Sequence, residues 1–202
     1  MTEQSGSTAA ISQEKVTEVV ASIVRSQAIK SFSVFFSEPS AENRSFKASA
    51  NLVHAHFLVA IIMQGAGLRM TFKVHADSGP IREVCARASN CTIEEVTEVR
   101  MRDCLREFAN ILAGTVQSEF SKMDLETRIS IPFSTRGFDD LFFEQPTTPM
   151  QFYDSWKVHW SGNGFAIMTL LTELLDLPAL SPLMNYNPAG ADEDLFDSLI
   201  TG

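Results

Sequence analysis

The sequence predicts an α+β fold in which an antiparallel sheet, built from two hairpins, is covered by two long helices and a short one. Two observations predict the sheet: residues 50–63 and 68–76 alternate in polarity about a glycine-containing linker, and residues 152–160 and 165–171 repeat this arrangement. A third observation predicts the main covering helix, because no proline interrupts the run from Thr92 to Lys122.

The elements before the first hairpin follow from local pattern. Residues 1–10 are small and polar, and we expect them to be disordered ahead of a single domain over residues 11–176. Ile11–Ser26 carries valine and isoleucine at helical spacing, which predicts an amphipathic helix. Alternation at Phe32, Val34 and Phe36 predicts a strand after it.

Glycine and proline mark the turns of the central region. Gly65 and Gly67 can adopt the positive φ that a tight hairpin linker requires. Proline is favourable near a helix start, so Pro80 predicts a short helix after it. Thr92, with a glutamate three residues later, matches a capping box and predicts that the long helix begins there. Ile129–Phe133 predicts a short strand that its proline confines to an edge or a strand end.

The chain end has a different composition. Proline, glycine and asparagine dominate the start of residues 177–202, which predicts a linker followed by a short acidic amphipathic tail. In that tail, Leu195, Phe196, Leu199 and Ile200 lie close together on a helical wheel, with acidic residues around them.

Composition restricts the function classes. The net charge is −9 and no basic stripe is visible, which argues against nucleic-acid binding. The apolar stretch from Phe57 to Met63 is too short to span a membrane, and the N-terminus lacks a secretory pattern, so we expect a cytoplasmic protein. The three cysteines, Cys85, Cys91 and Cys104, fit no zinc spacing and are expected to be reduced thiols.

One helix stripe carries the candidate chemistry. Asp103, Glu107, Asn110 and Gly114 are separated by four, three and four residues, so they share one face of the otherwise apolar long helix. Glycine costs about 1 kcal/mol relative to alanine in a helix. A glycine beside an acid and an amide therefore indicates a place where another molecule approaches closely.

This stretch resembles the CheC/CheX family of chemotaxis phosphatases, and CheX more than CheC. The resemblance rests on Glu107-x-x-Asn110 with Asp103 ahead of it, the following ANILAG, and the later IPFSTRG with Pro132. It covers roughly residues 50–175 and contains a single Glu-x-x-Asn pair, as CheX does; CheX proteins form homodimers, so the resemblance implies a homodimer here.

The resemblance implies a phosphatase that hydrolyses the aspartyl phosphate of a CheY-type response regulator. Asn110 would orient an in-line water, and Glu107 would pair with a lysine of the regulator. Asp103, Gly114 and Pro132 would serve partner binding or shape the face that contacts the partner. No cofactor of its own is implied, because Mg²⁺ would be supplied by the phosphorylated regulator. The tail also resembles the short peptide by which flagellar switch proteins capture phosphorylated CheY.

Alternatives remain open on the sequence. A docking module of the same fold could bind a response regulator or a flagellar-switch component without turnover, and a ligand-sensing dimer could use the phenylalanine-rich sheet. An acid and an amide three residues apart can also form an ordinary solvated face. His54 and His56 alternate on one strand but have no third metal ligand at diagnostic spacing, and Trp156 and Trp160 are expected to pack against a helix or a partner.

Overall fold

The computed structural model describes residues 11–35, 55–65, 67–137, 139, 150–160 and 164–186. Its α-helices are α1 (Gln13–Phe35), α2 (Ser78–Ala88) and α3 (Glu98–Ser121), of which α2 is the short one. Its strands are β1 (Phe57–Gly65), β2 (Leu68–Ala76), β3 (Thr127–Ile129), β4 (Phe133–Thr135), β5 (Gln151–Trp160) and β6 (Gly164–Leu174). Short 3-10 helices cover Ile93–Glu95 and Pro178–Asn185. None of the helices in these described segments is long and apolar enough to cross a membrane.

The described strands form a six-stranded sheet in the order β3-β1-β2-β6-β5, with β4 also paired to β1. Every pairing is antiparallel. The two predicted hairpins supply the four long strands, and β2 pairs with β6 to join them. This confirms the predicted α+β architecture.

Helices α1 and α3 pack against each other, and both pack on the sheet. Alternate residues of β1 and β2, such as Val59 and Phe72, join the helices in one core cluster. Phe32 of α1 meets Phe108 of α3 with ring centroids 4.3 Å apart. Burial of one apolar stripe on each helix therefore fixes which side of α3 faces outward.

The strand predicted at Phe32, Val34 and Phe36 is wrong, because α1 continues to Phe35. Val24, Ala28 and Phe32 are all buried, and their spacing of four residues continues the helical stripe that begins at Val16. An alternating apolar triplet is compatible with either period, and packing on α3 selects the helix. Phe36 lies outside the described residues.

The first hairpin follows its prediction closely. Gly65 and Gly67 adopt φ of +144° and +80°, the positive values expected of the linker. A Cβ on Gly65 would collide with the Glu126 carbonyl, and one on Gly67 with the Asp176 carbonyl. These glycines therefore serve both the turn and the close approach of neighbouring chain.

The predicted start of the long helix is wrong by six residues. Thr92 and Glu95 do form a capping box, in which the Thr92 backbone N–H donates to Glu95 Oε2 at 2.8 Å. That box caps the 3-10 turn Ile93–Glu95 instead of α3. Helix α3 begins at Glu98, where the Thr97 hydroxyl accepts a hydrogen bond from the Arg100 backbone N–H.

The single strand predicted at Ile129–Phe133 is two strands, β3 and β4, on the same edge of β1. The interruption falls at Ile131 and Pro132, since proline has no N–H to donate to the ladder. Ser130 keeps the edge attached, because its backbone N–H donates to the Ile62 carbonyl at 2.8 Å.

The start of the predicted linker is also wrong. Residues Pro178–Asn185 form a 3-10 helix that packs on α1, with Leu180 and Leu183 fully buried. Burial of these two leucines compensates for a proline-rich sequence that forms no α-helix. The acidic tail and the residues predicted to be disordered at the N-terminus lie outside the described residues.

Candidate functional site

Helix α3 presents the predicted stripe to the outside. Asp103, Glu107 and Asn110 are exposed and Gly114 is half-buried. The opposite side of the helix is buried in the core, with Leu105, Phe108, Ala109, Leu112 and Ala113. The helix period and the buried apolar face thus bring the four predicted residues together on one surface.

Arg106 connects the stripe to Pro132. Its guanidinium Nη1 lies 3.7 Å from Asp103 Oδ1, and its Nε donates to the Pro132 carbonyl at 3.3 Å. The Pro132 carbonyl lies between β3 and β4, outside the described ladder pairings to β1. The interruption in the edge strand therefore supplies the acceptor that holds this segment against α3.

Sequence reasoning missed Arg106. The signal was available in part, since Asp103 and Arg106 have the i,i+3 spacing of helical ion pairs. The Pro132 contact was not available, because it joins residues 26 positions apart. The hydrogen bond from Arg106 therefore holds Pro132 beside the stripe, and no sequence pattern indicated this arginine.

The side chains of Glu107 and Asn110 take part in no hydrogen bond or ion pair with the described part of the chain. Apart from its own stretch of helix backbone, a Cβ added at Gly114 would meet no atom of the described chain within 4 Å. The glycine is therefore not required by packing inside the described protein. The three residues form a polar surface with an open place at its end.

Exposed apolar side chains flank this polar surface, and sequence reasoning missed them as well. Val99 is one helical turn before Asp103 and is 65% exposed. Ile131 and Phe133, on either side of Pro132, are 82% and 41% exposed. Large apolar groups left in water beside a polar stripe are typical of a surface that contacts another protein.

A surface groove of about 730 Å³ adjoins the stripe. Asp103, Cys104 and Glu107 line it from α3, and Ser89 and Cys91 line it from the segment after α2. The acidic residues at one end of the stripe therefore also border a cavity.

The cysteines meet beside this groove and are free thiols. A hydrogen bond from Cys85 lowers the pKa of Cys104, against the opposing effects of burial and of the Glu107 carboxylate. The same hydrogen bond and burial raise the pKa of Cys85. The pairing therefore favours the thiolate at Cys104 over the thiolate at Cys85.

The other sequence candidates lie away from the stripe. His56 is exposed, and its backbone N–H donates to Asp77 Oδ1 at 3.3 Å. Trp156 is buried under α1, where the Arg25 guanidinium lies 5.6 Å from its ring, as expected for a packing role. His54 and the Trp160 side chain lie outside the described residues. Within the described segments, no group of three or more His, Cys, Asp and Glu side chains could hold a metal ion.

Comparison with known proteins identifies the fold. No family model matches the sequence, and no curated protein matches it. A CheC-like superfamily protein from Shewanella sp. PV-4 superposes with a TM-score of 0.60 at 14% identity, covering 77% of this chain and 97% of that one. CheX from Vibrio vulnificus gives a TM-score of 0.57 at 14% identity, covering 76% and 96%.

Similar structures also include a CheX protein solved with CheY, and FliY. CheX from Borrelia burgdorferi, solved in complex with CheY, BeF3 and Mg²⁺, gives a TM-score of 0.54 at 12% identity, covering 81% and 99%. FliY from Thermotoga maritima gives 0.54 at 13% identity, covering 86% and 97%. With its antiparallel sheet and its two long helices on one face, this chain has the CheC/CheX-like fold.

Proposed function

We propose that this protein is a phosphatase that hydrolyses the aspartyl phosphate of a CheY-type response regulator. The observation that carries the proposal is the exposed stripe on α3, where Glu107 and Asn110 point outward without partners from the described chain. The similar CheX structure with CheY, BeF3 and Mg²⁺ supports the choice of substrate.

Asn110 is the proposed catalytic residue. An acyl phosphate is already reactive, so the protein has only to hold a water in line with the bond that breaks. The Asn110 amide can accept a hydrogen bond from that water without adding negative charge near the phosphoryl group. Water oxygen bonds to phosphorus as the carboxylate leaves, which yields inorganic phosphate, the free regulator carboxylate and one proton.

Glu107 and its neighbours are proposed to bind the partner. A carboxylate three residues before Asn110 can pair with a lysine of the regulator and orient the phosphoryl group toward the amide. Asp103, held by Arg106, and the half-buried Gly114 extend this contact along α3. Pro132 presents the exposed Ile131 and Phe133, which supply apolar contact area. Mg²⁺ would belong to the regulator and neutralise charge on the phosphate.

The second candidate is a docking module of the same fold that binds a regulator or a flagellar-switch component without turnover. The similarity of fold to FliY and to the FliM middle domain of Vibrio alginolyticus favours this candidate. The FliM domain gives a TM-score of 0.51 at 11% identity, covering 83% of this chain and 99% of that one. The two candidates differ at Asn110, because docking alone does not need a group that orients water.

The test is the decay of a phosphorylated, Mg²⁺-bound CheY-type regulator with wild-type protein and with Asn110→Ala. We expect wild type to accelerate decay, and the variant to lose acceleration on the order of 100-fold while still binding the regulator with BeF3. Ser118→Ala, exposed two turns further along α3, is the matched control and should keep full activity. Binding without accelerated decay in wild type would favour the docking module instead.

A further inference from the structure

The cysteines of this chain converge although their positions, 85, 91 and 104, follow no motif. Cys85 lies on α2, Cys91 follows it, and Cys104 lies on α3, which packs against α2. The Cys85 Sγ is 4.0 Å from the Arg100 carbonyl, one turn before Cys104. The Arg100 guanidinium in turn lies 3.6 Å from the Cys91 sulfur. The packing of α2 on α3 therefore creates a local cluster of thiols.

The cluster combines one accessible thiol with one protected thiol. Cys104 is half-buried and lines the groove of about 730 Å³, so a small molecule can reach it from solvent. Cys85 is only 1% exposed, its thiol donates to the Arg100 carbonyl, and the neighbouring Cys104 and burial raise its pKa. Reactive cysteines are accessible and favoured as thiolates. A buried, protonated cysteine reacts only after a neighbouring cysteine has been oxidised.

We propose that Cys104 is a site of oxidation by hydroperoxides and that Cys85 closes a disulfide with it. In the first step the Cys104 sulfur bonds to a peroxide oxygen, the O–O bond breaks, and hydroxide or alkoxide leaves. In the second step the Cys85 sulfur bonds to Cys104, the S–O bond of the sulfenic acid breaks, and the Cys85 proton leaves with the hydroxide as water. The peroxide accepts the two electrons that the thiols lose.

The disulfide would affect how the polar stripe of α3 binds the regulator, an effect that rests on the proposed phosphatase function. Cys104 lies between Asp103 and Glu107 in the same turn of α3. A disulfide would join this turn of α3 covalently to α2 and fix its position there. We expect oxidation to raise the KM for the phosphorylated regulator about threefold or more and to leave kcat unchanged, because Asn110 lies nearly two turns further along.

The modification itself is tested without any phosphatase assay. The reduced, folded protein is treated with one equivalent of hydrogen peroxide, alkylated, digested and mapped by mass spectrometry. We expect loss of two hydrogen atoms per chain, a cross-link between the Cys85 and Cys104 peptides, and an alkylated Cys91. The Cys91→Ser variant should give the same cross-link, and Cys85→Ser should instead accumulate a sulfenic acid on Cys104 that dimedone traps.

Three outcomes would overturn the assignment: thiols that stay reduced, a cross-link from Cys104 to Cys91, or disulfides only between chains. The regulatory consequence has a separate readout, the KM of oxidised protein before and after dithiothreitol. A disulfide that forms without changing KM would overturn that consequence alone. If wild-type protein does not accelerate regulator decay, the proposed function fails while the cross-link map still decides the modification site.

Discussion

Replacing Gly114 with alanine should stabilise the fold and, at the same time, weaken binding of the phosphorylated regulator. Gly114 lies in the interior of the 24-residue helix α3, where glycine is unfavourable. Apart from its own stretch of helix backbone, a Cβ at this position meets no atom of the described chain within 4 Å. Alanine therefore brings a better helix former at no steric cost inside the protein.

The magnitude follows from this open position. Glycine is about 1 kcal/mol worse than alanine in a helix interior, so Gly114→Ala should raise the free energy of unfolding by about that amount. This corresponds to roughly a fivefold gain in the ratio of folded to unfolded protein. For a chain of this size it should raise Tm by about 2–4 °C.

The functional effect should have the opposite sign. If α3 docks on the regulator along the stripe, the new methyl group occupies the open place beside Asn110. We expect KM for the phosphorylated regulator to rise about tenfold, which is about 1.4 kcal/mol of lost binding. Thermal unfolding and regulator decay measured on the same preparation give both quantities.

Gly79→Ala is the matched control for this experiment. Gly79 lies in the first turn of α2, and a Cβ there also meets no atom within 4 Å. The same chemical change should stabilise slightly and leave KM unchanged. A stabilised Gly114→Ala protein with wild-type KM would refute the docking role of the glycine. A destabilised one would refute the reasoning from open space.

Two further predictions concern stability. Asp154→Ala should lower the free energy of unfolding, measured by urea denaturation, by about 2–3 kcal/mol, because the largely buried Arg25 loses hydrogen bonds of 2.7 and 2.5 Å. The control Glu18→Ala, at an exposed residue, should change the free energy of unfolding by less than about 0.5 kcal/mol. Equal effects of the two substitutions would contradict the argument from burial. Burial, and then Glu119, raise the pKa of Tyr186 above its ordinary value. The raised pKa contributes stability that is present below about pH 10 and is lost as pH rises through the pKa of the folded state. Above about pH 10, wild type should therefore lose stability relative to Tyr186→Phe. The same pH dependence of the free energy of urea unfolding in both proteins would contradict this prediction.

Secondary structure was predictable wherever one period was unambiguous. The two hairpins follow from paired runs with alternating polarity and, in the first hairpin, from Gly65 and Gly67, since glycine adopts a positive φ without steric cost. The segment around Phe32 was not predictable, because its short apolar run fits a strand locally and a helix through the buried spacing to Ala28. Only the packing of α1 on α3 distinguishes the two.

The candidate site was predictable along the helix and not across the fold. The stripe from Asp103 to Gly114 needs only the helical period, and the structure places all four residues on one surface. Arg106 and the thiol pair depend on contacts between elements, such as the 3.3 Å hydrogen bond to the Pro132 carbonyl. No periodicity in the chain encodes which carbonyl an arginine will reach.

The composition of α3 itself separates a functional face from a merely solvated one. Asn110 and Gly114 are both poor helix formers, and together they cost the helix roughly 1.5 kcal/mol relative to alanine. Within the described chain the Asn110 side chain has no hydrogen bond, and a Cβ at Gly114 would find no packing partner outside its own helix, so nothing offsets that cost. A solvated face has no need of either residue, since lysine or glutamate would serve folding better. Poor helix formers that gain no stabilising contact inside the protein are expected where they contact a partner instead. Asn110 and Gly114 both lie on the stripe that carries Glu107.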